Sequence, residues 1–185
     1  MIELVVVLVI VAAIAFFLIG MYNSLVRSRN EVKNAWSQID VQLNRRHDLI
    51  PNLVETVKGY MTHERETLEA VTRARQQAID VSGDLDAKAR VENQLSQTLR
   101  SLFAVAEAYP DLKANQNFLA LQEELASTEN KISFSRQYYN DSVLRLNNRI
   151  EVFPTNLIAG MFHFTKEKFF EVETPEARKA VQVKF

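Results

Sequence analysis

The first stretch of the chain, Ile2 to Tyr22, is apolar almost throughout, and Glu3 is its only charged side chain. A hydrocarbon core of about 30 Å needs about 20 apolar residues in a helix, and this stretch has that length. Because backbone groups in lipid must satisfy one another, the stretch is predicted to be helical. A buried core helix is the alternative, but such a helix seldom lacks a polar face over this length. We therefore predict a transmembrane anchor over residues 1–22.

Two other kinds of hydrophobic N-terminus fit the sequence less well. A cleaved secretory signal has a basic front and a small-x-small exit, whereas no basic side chain precedes this run and its end reads LIGMY. The start, Ile2 to Val7, resembles the helix of a type IV pilin. A pilin precursor, however, carries a basic leader and a downstream strand pattern that this sequence does not show. The anchor is therefore expected to be retained as a single span.

The charges that flank the anchor predict its orientation. Glu3 lies at the outer tip, whereas Arg27, Arg29 and Lys33 follow the span. Basic flanks stay on the cytoplasmic side of a membrane. We therefore expect the C-terminal domain in the cytoplasm.

Beyond the anchor the apolar positions follow helical spacing. Between Asn23 and Ile50 they recur at intervals of three, four or seven, the a/d spacing of a heptad, and Arg46 takes one d-like slot. Pro51 is expected to end or kink this helix, because its ring clashes with the preceding turn. The apolar stripe consists of Leu25, Val32, Trp36, Ile39, Leu43 and Ile50.

Three further amphipathic helices are predicted over residues 52–80, 87–109 and 111–150. The turn Val81 to Asp86 offers Asp84 or Asp86 as an N-cap, and Pro110 separates the last two helices. Long helices with short joints bury their apolar stripes against one another. The predicted fold is therefore all-α: a single N-terminal transmembrane helix continuing into a long antiparallel, up-down helical bundle with coiled-coil character, over residues 23–150.

The last part of the chain, residues 151–185, is predicted to be an irregular aromatic segment. An up-down path returns the chain to the bilayer near Ile150, so this segment is expected close to the membrane. The spacing predicts one face of a short helix, formed by Leu157, Ile158, Met161 and Phe162. Thr174-Pro175 is predicted to start a further helix. The aromatic side chains can close the bundle, lie in the membrane interface or fill a groove on a neighbouring subunit. The candidate interaction residues here are Phe153, Leu157, Ile158, Phe162, Phe164, Phe169 and Phe170.

Composition and motifs exclude several kinds of site. A net charge of −1 offers no basic field for nucleic acid. The lack of cysteine removes disulfides, thiolate nucleophiles and Cys-ligated zinc. His63-Glu64 begins a zinc-protease motif, but Thr67 stands where the second His is needed. With no nucleophile elbow and no Gly-rich phosphate loop, we predict no catalytic residue, no metal site and no cofactor.

One basic pair, Arg45-Arg46, lies near the predicted end of the first helix, away from the membrane. These two cations are candidates for docking an acidic partner. The alternative is a solvated helix end, where cations interact favourably with the C-terminal dipole.

Two stretches of the chain resemble the LemA family. The first reads YNSLVRSRNEV from Tyr22, AWSQIDVQL from Ala35, RRHDLIPNLV from Arg45 and VKGY from Val57. The second reads YNDSV from Tyr139 and FPTNLIA from Phe153, followed by Phe169-Phe170. The family often has Phe-Gly-Phe where this chain has Phe162-His163-Phe164. The resemblance covers nearly the whole chain and implies a single-pass protein of the bacterial inner membrane with a helical bundle. It points to no enzyme class, and a magnetosome membrane protein in the family implies a membrane-organising role by analogy.

The main functional hypothesis is a non-enzymatic, membrane-anchored helical scaffold that self-associates, because the long helices leave apolar stripe residues that need another chain. The alternative is an adaptor or regulatory partner of another membrane machine, such as a protease or a sensor, docked through Arg45 and Arg46. The expected partners are the lipid bilayer, further copies of the chain and, for the alternative, another membrane protein.

Overall fold

The computed structural model of the protein describes residues 1–170, and this part of the chain contains helices and no strand. The prediction of an all-α fold with one long apolar N-terminal helix is confirmed. The predicted helix start at Thr174-Pro175 lies outside the described residues. The helices are α1 (Ile2–Lys58), α2 (Arg65–Asp80), α3 (Leu85–Ala106), α4 (Pro110–Lys113), α5 (Gln116–Glu151) and α6 (Thr155–Met161).

The first part of α1 is apolar and uncovered. An 18-residue window near its N-terminus has a mean hydropathy of 3.2, and none of that window is buried. By length and composition this helix can cross a membrane. Within residues 1–170 it is the one helix that meets both conditions.

The contacts divide the described chain into two compact units. Unit 1 combines Met1–Val41 with Ser133–Phe169, and unit 2 contains Gln42–Ile132. Helices α1 and α5 each contribute to both units. The predicted domain boundaries at residues 22 and 150 stay a prediction.

In unit 1, α1 and α5 pair in antiparallel order. Ser24 contacts Arg149, Glu31 contacts Arg145, and the Trp36 ring lies 5.7 Å from that of Tyr139, centroid to centroid. The partner's number falls as α1 advances, as it does between antiparallel helices. The side chains buried here include Leu25, Val32 and Ile39 of the predicted α1 stripe and Tyr139, Val143 and Leu146 of α5.

In unit 2, the end of α1 packs with α2, α3, α4 and the first part of α5 around one apolar core. That core includes Ile50, the last residue of the predicted α1 stripe, together with Leu53, Val57, Val71, Leu95, Leu102, Phe118 and Leu125. Helical periodicity therefore identified the buried faces correctly in both units. The up-down order of the whole bundle stays a prediction.

Pro51 does not end α1, which continues to Lys58, so the expectation of a helix end was wrong. A proline within a helix leaves the carbonyl four residues earlier without its N–H donor. That carbonyl belongs to His47, and the Arg75 side chain of α2 donates its Nε–H to it at 2.7 Å. A tertiary contact thus replaces the hydrogen bond that proline cannot make.

The second predicted helix, residues 52–80, was also wrong in its start. The chain leaves the helical conformation from Gly59 to Glu64, and α2 begins only at Arg65. Glycine is a poor helix interior residue, and Met61 lies buried in the core beneath this turn.

Two of the remaining joints, those before α3 and α5, are capped by side chains. Asp84 accepts the N–H of Asp86 at 3.2 Å, as one of the two predicted caps. The predicted helix 111–150 is instead the short α4 and a separate α5. Asn115 lies between them and accepts the N–H of Phe118 at 3.0 Å, which caps α5.

We expect Arg75→Leu to destabilise unit 2 by about 1.5–3 kcal/mol, because it leaves the His47 carbonyl with no donor. In a Pro51→Ala background, the new N–H of residue 51 can bond that carbonyl, so the same substitution should cost less than about 1 kcal/mol. The free energy of unfolding of the full-length protein in detergent, followed by circular dichroism, measures both.

Arg73→Leu is the matched control on the exposed face of α2 and should change stability by no more than about 0.5 kcal/mol. An equal cost of Arg75→Leu in both backgrounds would show that Arg75 does not compensate for the proline.

Candidate functional site

Arg46 lies at the centre of a buried ionic cluster in unit 2, defined by Arg46, His47, Lys88, Glu92, Ser96 and Glu129. The Arg46 side chain is 1 % exposed and that of Glu92 is 0 % exposed. The Arg46 guanidinium donates to the Glu92 carboxylate, to Glu129 Oε2 at 2.6 Å and to Ser96 Oγ at 2.8 Å. One side chain of α1 is thereby tied to α3 and α5.

Glu92 has two further basic residues beside it. The His47 Nε2 atom lies 3.1 Å from Glu92 Oε1, and Lys88 Nζ lies 3.7 Å from the same oxygen. Burial is the largest single effect on Glu92 and acts to raise its pKa. The hydrogen bond from His47 and the charge of Arg46 together outweigh it and hold the pKa below its ordinary value. Glu92 is therefore the ionised counter-charge of the cluster.

A cavity of about 320 Å³ opens beside the cluster, between α3 and α5. Its polar lining comes from Arg46, Ser96 and Glu129, and its apolar lining includes Leu99 and Phe103. The Arg46 guanidinium already bonds two carboxylates, so its charge is neutralised within the protein. Within residues 1–170 no group of three or more His, Asp or Glu side chains is placed to hold a metal ion. The ionic cluster therefore links α1, α3 and α5.

The two predicted docking arginines therefore differ. The interpretation of Arg46 as a surface cation was wrong, because its d-like heptad position turns it into the core. Arg45 is half-exposed, and its Nη2 lies 2.6 Å from Glu124 Oε1. The partners Glu92, Ser96 and Glu129 were missed, although Glu92 precedes Leu95 and Leu99 by three and seven residues. That spacing places a carboxylate on the apolar stripe and could have identified it.

A second cluster forms in unit 1, where α6 packs on α1. Ile158 and Ala159 are buried against Met21 and Leu25. Tyr22 contacts two aromatic rings, those of Phe162 at 4.7 Å and Phe164 at 6.0 Å between centroids. The Arg29 guanidinium lies 5.0 Å above the Phe164 ring, a cation–π contact.

The turn after α6 is closed by His163 in a left-handed conformation, with φ 54°. The Phe164 N–H donates to the Ala159 carbonyl at 2.9 Å, and the His163 N–H donates to the Gly160 carbonyl at 3.3 Å. These two bonds form a Schellman C-cap, which usually has glycine at the left-handed position. His163 thus adopts the tight turn and directs Phe164 back onto Ala159.

Two side chains of α5 hold the segment beyond this turn. The Asn147 amide accepts the Glu167 N–H at 3.0 Å and donates to the Glu167 carbonyl at 2.9 Å. The Tyr139 hydroxyl donates to the Lys168 carbonyl at 3.0 Å. Burial, and then the charge of Glu167, raise the pKa of Tyr139 to about 12, so its hydroxyl remains a donor.

The predicted aromatic and apolar contact residues differ in how exposed their side chains are. Ile158 and Phe170 are buried, Phe164 is half-buried, and Phe153, Leu157, Phe162 and Phe169 are exposed. The prediction that Leu157, Ile158, Met161 and Phe162 share one face was wrong for Ile158, which faces α1 while the other three are exposed.

Replacing Glu92 by Gln is expected to destabilise unit 2 by about 3–5 kcal/mol, because Arg46 then stays buried without its main counter-charge. The control Glu69→Gln removes the exposed partner of Arg65 and should leave stability almost unchanged. Replacing both members, as Arg46→Met with Glu92→Leu, should recover most of the loss. Chemical unfolding of the full-length protein in detergent measures all three variants, and a Glu92→Gln cost no larger than that of the control would refute a structural role for the pair.

Acid should remove the contribution of Glu92. Its native pKa is below the ordinary value of 4.5, so between these two values the unfolded chain binds more protons than the folded one. The stabilisation is therefore complete above about pH 4.5 and is lost as the pH falls through the native pKa. Melting temperatures from pH 7 to pH 3 should converge for the wild type and Glu92→Gln; a constant difference would contradict this assignment.

Comparisons with known proteins give the family. The model of the LemA family matches residues 35–185. Protein LemA of Metamycoplasma hominis is 28% identical over 171 residues, which cover 88% of this chain and 78% of that protein. Magnetosome protein MamQ of Magnetospirillum gryphiswaldense is 19% identical over 196 residues, covering 91% of this chain and 72% of that protein. Because the family match spans most of the sequence, the chain belongs to the LemA family.

Proposed function

We propose that this protein is a non-enzymatic, membrane-anchored helical scaffold that self-associates and organises the membrane or proteins within it. We place it in the bacterial inner membrane with its C-terminal domain in the cytoplasm. The observation that carries the proposal is the continuity of α1. Its apolar start is uncovered, and the same helix then supplies core residues to both units, from Leu25 to Val57.

The charged interior of unit 2 supports a structural role. Arg46, Glu92 and Glu129 neutralise one another across three helices, and a bound substrate would have to break these pairs to reach the guanidinium. The relative MamQ is named as a magnetosome protein, and we take this likeness as support for a membrane-associated role of this chain.

Self-association is supported by exposed apolar side chains of unit 1. These side chains lie outside the apolar start of α1 and outside α6. Phe134 is 73 % exposed, Val41 61 % and Leu144 49 %. All three lie on the long helices α1 and α5, where another copy can pack along them. We propose that Val41, Phe134 and Leu144 form the contact between copies.

The expected result for the full-length wild type in detergent or nanodiscs is a particle of several copies. Phe134→Asp should lower that mass, because it places a charge in the contact. Gln97→Asp introduces the same charge at an exposed polar position of α3, in unit 2 and outside the proposed contact, and should not. Light scattering at several concentrations measures the mass, and a wild type that is monomeric throughout the range would overturn the proposal.

An adaptor role is the second candidate, and one observation favours it. A groove of about 1000 Å³ runs between the end of α1 and α2, with Val54, Met61 and Leu68 in its apolar lining and Lys58 and Arg65 among its charged residues. We infer that a segment of another membrane protein can bind in this groove. The groove then has the docking role that the sequence suggested for Arg46, which is buried. The same mass measurement separates the two roles, since an adaptor remains a single copy and gains mass only with a different protein bound.

A further inference from the structure

The end of the apolar start of α1 coincides with the packing of α6. At 1.5 Å per residue the stretch from Ile2 to Tyr22 is about 31 Å long, close to the hydrocarbon thickness of a bilayer. A span of this length places Tyr22 at the membrane–water interface, where tyrosine is enriched. The first charged side chain after Tyr22 is Arg27, so the polar side of the interface begins after Tyr22.

Helix α6 lies at this same level of α1. Its buried residues, Ile158 and Ala159, pack on Met21 and Leu25. The Phe162 ring centroid lies 4.7 Å from that of Tyr22, which is less than one helical turn. Whatever depth Tyr22 has in the bilayer, Phe162 therefore shares it closely.

The outward side of this region is apolar. Five side chains in and beside α6 are exposed: Val152 (59%), Phe153 (74%), Leu157 (58%), Met161 (71%) and Phe162 (54%). We call this set the α6 apolar surface. Five large apolar side chains this close together are unusual on a water-facing surface and mark a binding site for protein or membrane.

Charge is absent from the same segment and returns at its ends. From Val152 to Thr165 the sequence contains no Asp, Glu, Lys or Arg. Glu151 and Lys166 form an ion pair at the two ends, so the segment leaves and rejoins the polar part of unit 1 at one point. An uncharged apolar loop with a polar base suits partial insertion into the headgroup and acyl boundary.

We propose that the α6 apolar surface is a second membrane-binding element, which inserts into the leaflet interface beside α1 without crossing the bilayer. The occupant of this surface is lipid, because the surface is continuous with the end of the span through the Tyr22–Phe162 contact. The inference rests on the proposed anchor. Unit 1 then meets the same leaflet at two places. One is the apolar start of α1, and the other is α6, which follows α5 along the chain.

The test uses single tryptophans in full-length protein reconstituted into phosphatidylcholine vesicles. The natural Trp36 is the sole tryptophan and is first replaced by Phe. Phe153→Trp reports on the α6 apolar surface, and Leu119→Trp is the control, at an exposed apolar position of α5 in unit 2. Val11→Trp reports separately on the anchor. Lipids brominated near the glycerol end or near the middle of the acyl chain quench tryptophans at the corresponding depth.

Phe153→Trp should show blue-shifted emission and lose most of its fluorescence with shallow bromines, whereas the emission of Leu119→Trp should not be quenched. Quenching of Val11→Trp without quenching of Phe153→Trp would overturn this proposal and leave the anchor intact. An unquenched Val11→Trp would overturn the anchor itself. Blue-shifted but unquenched Phe153→Trp would mean that a second copy covers the surface, which also refutes lipid as its occupant.

Discussion

The fold depends on the continuity of α1, and two different hydrogen-bond requirements maintain it. The apolar start is long and apolar enough to cross a membrane, and an unbroken helix satisfies its backbone groups even where the surroundings offer no hydrogen-bond partner. Further along, Pro51 removes one N–H donor, and a side chain from α2 supplies the replacement by bonding the His47 carbonyl at 2.7 Å. The first requirement is local and follows from composition alone. The second needs the tertiary structure, because Arg75 reaches the carbonyl only after unit 2 has folded.

The buried ionic cluster has a related role within unit 2. A lone arginine in a core is strongly destabilising, but the carboxylates of Glu92 and Glu129 approach Arg46 from α3 and α5. Ion pairs of this kind contribute little net stability compared with an apolar core, and their value lies in the geometry that they require. Heptad stripes of aliphatic side chains can slide by one turn at little cost, whereas Arg46 has its two counter-charges in one register only. The cluster therefore selects one alignment of α1, α3 and α5.

Sequence periodicity predicted the buried faces well and the helix ends poorly, for physical reasons. Burial of Leu25, Ile39 and Val143 follows from a stripe that any packed helix must cover. The fate of Pro51 depends on Arg75, and the turn at Gly59 depends on the burial of Met61, and both are tertiary effects. Arg46 is buried because its heptad position, and not its charge, determines which way it faces. The C-terminal region could be placed near the bilayer as a hypothesis, but the sequence could not tell which side chains of α6 face α1.

The division of α6 into a buried and an exposed side depends on one strained residue. His163 adopts φ 54°, a conformation that costs about 1–2 kcal/mol for a residue with a Cβ, and the Schellman bonds and the packing of Phe164 offset that cost. Because the turn sends Phe164 back onto Ala159, the residues between them form a closed loop against Met21 and Leu25. Met161 and Phe162 lie within this loop and are exposed. The turn therefore fixes the backbone of the two residues that end the α6 apolar surface, and the strain at His163 is stored where that surface meets Tyr22.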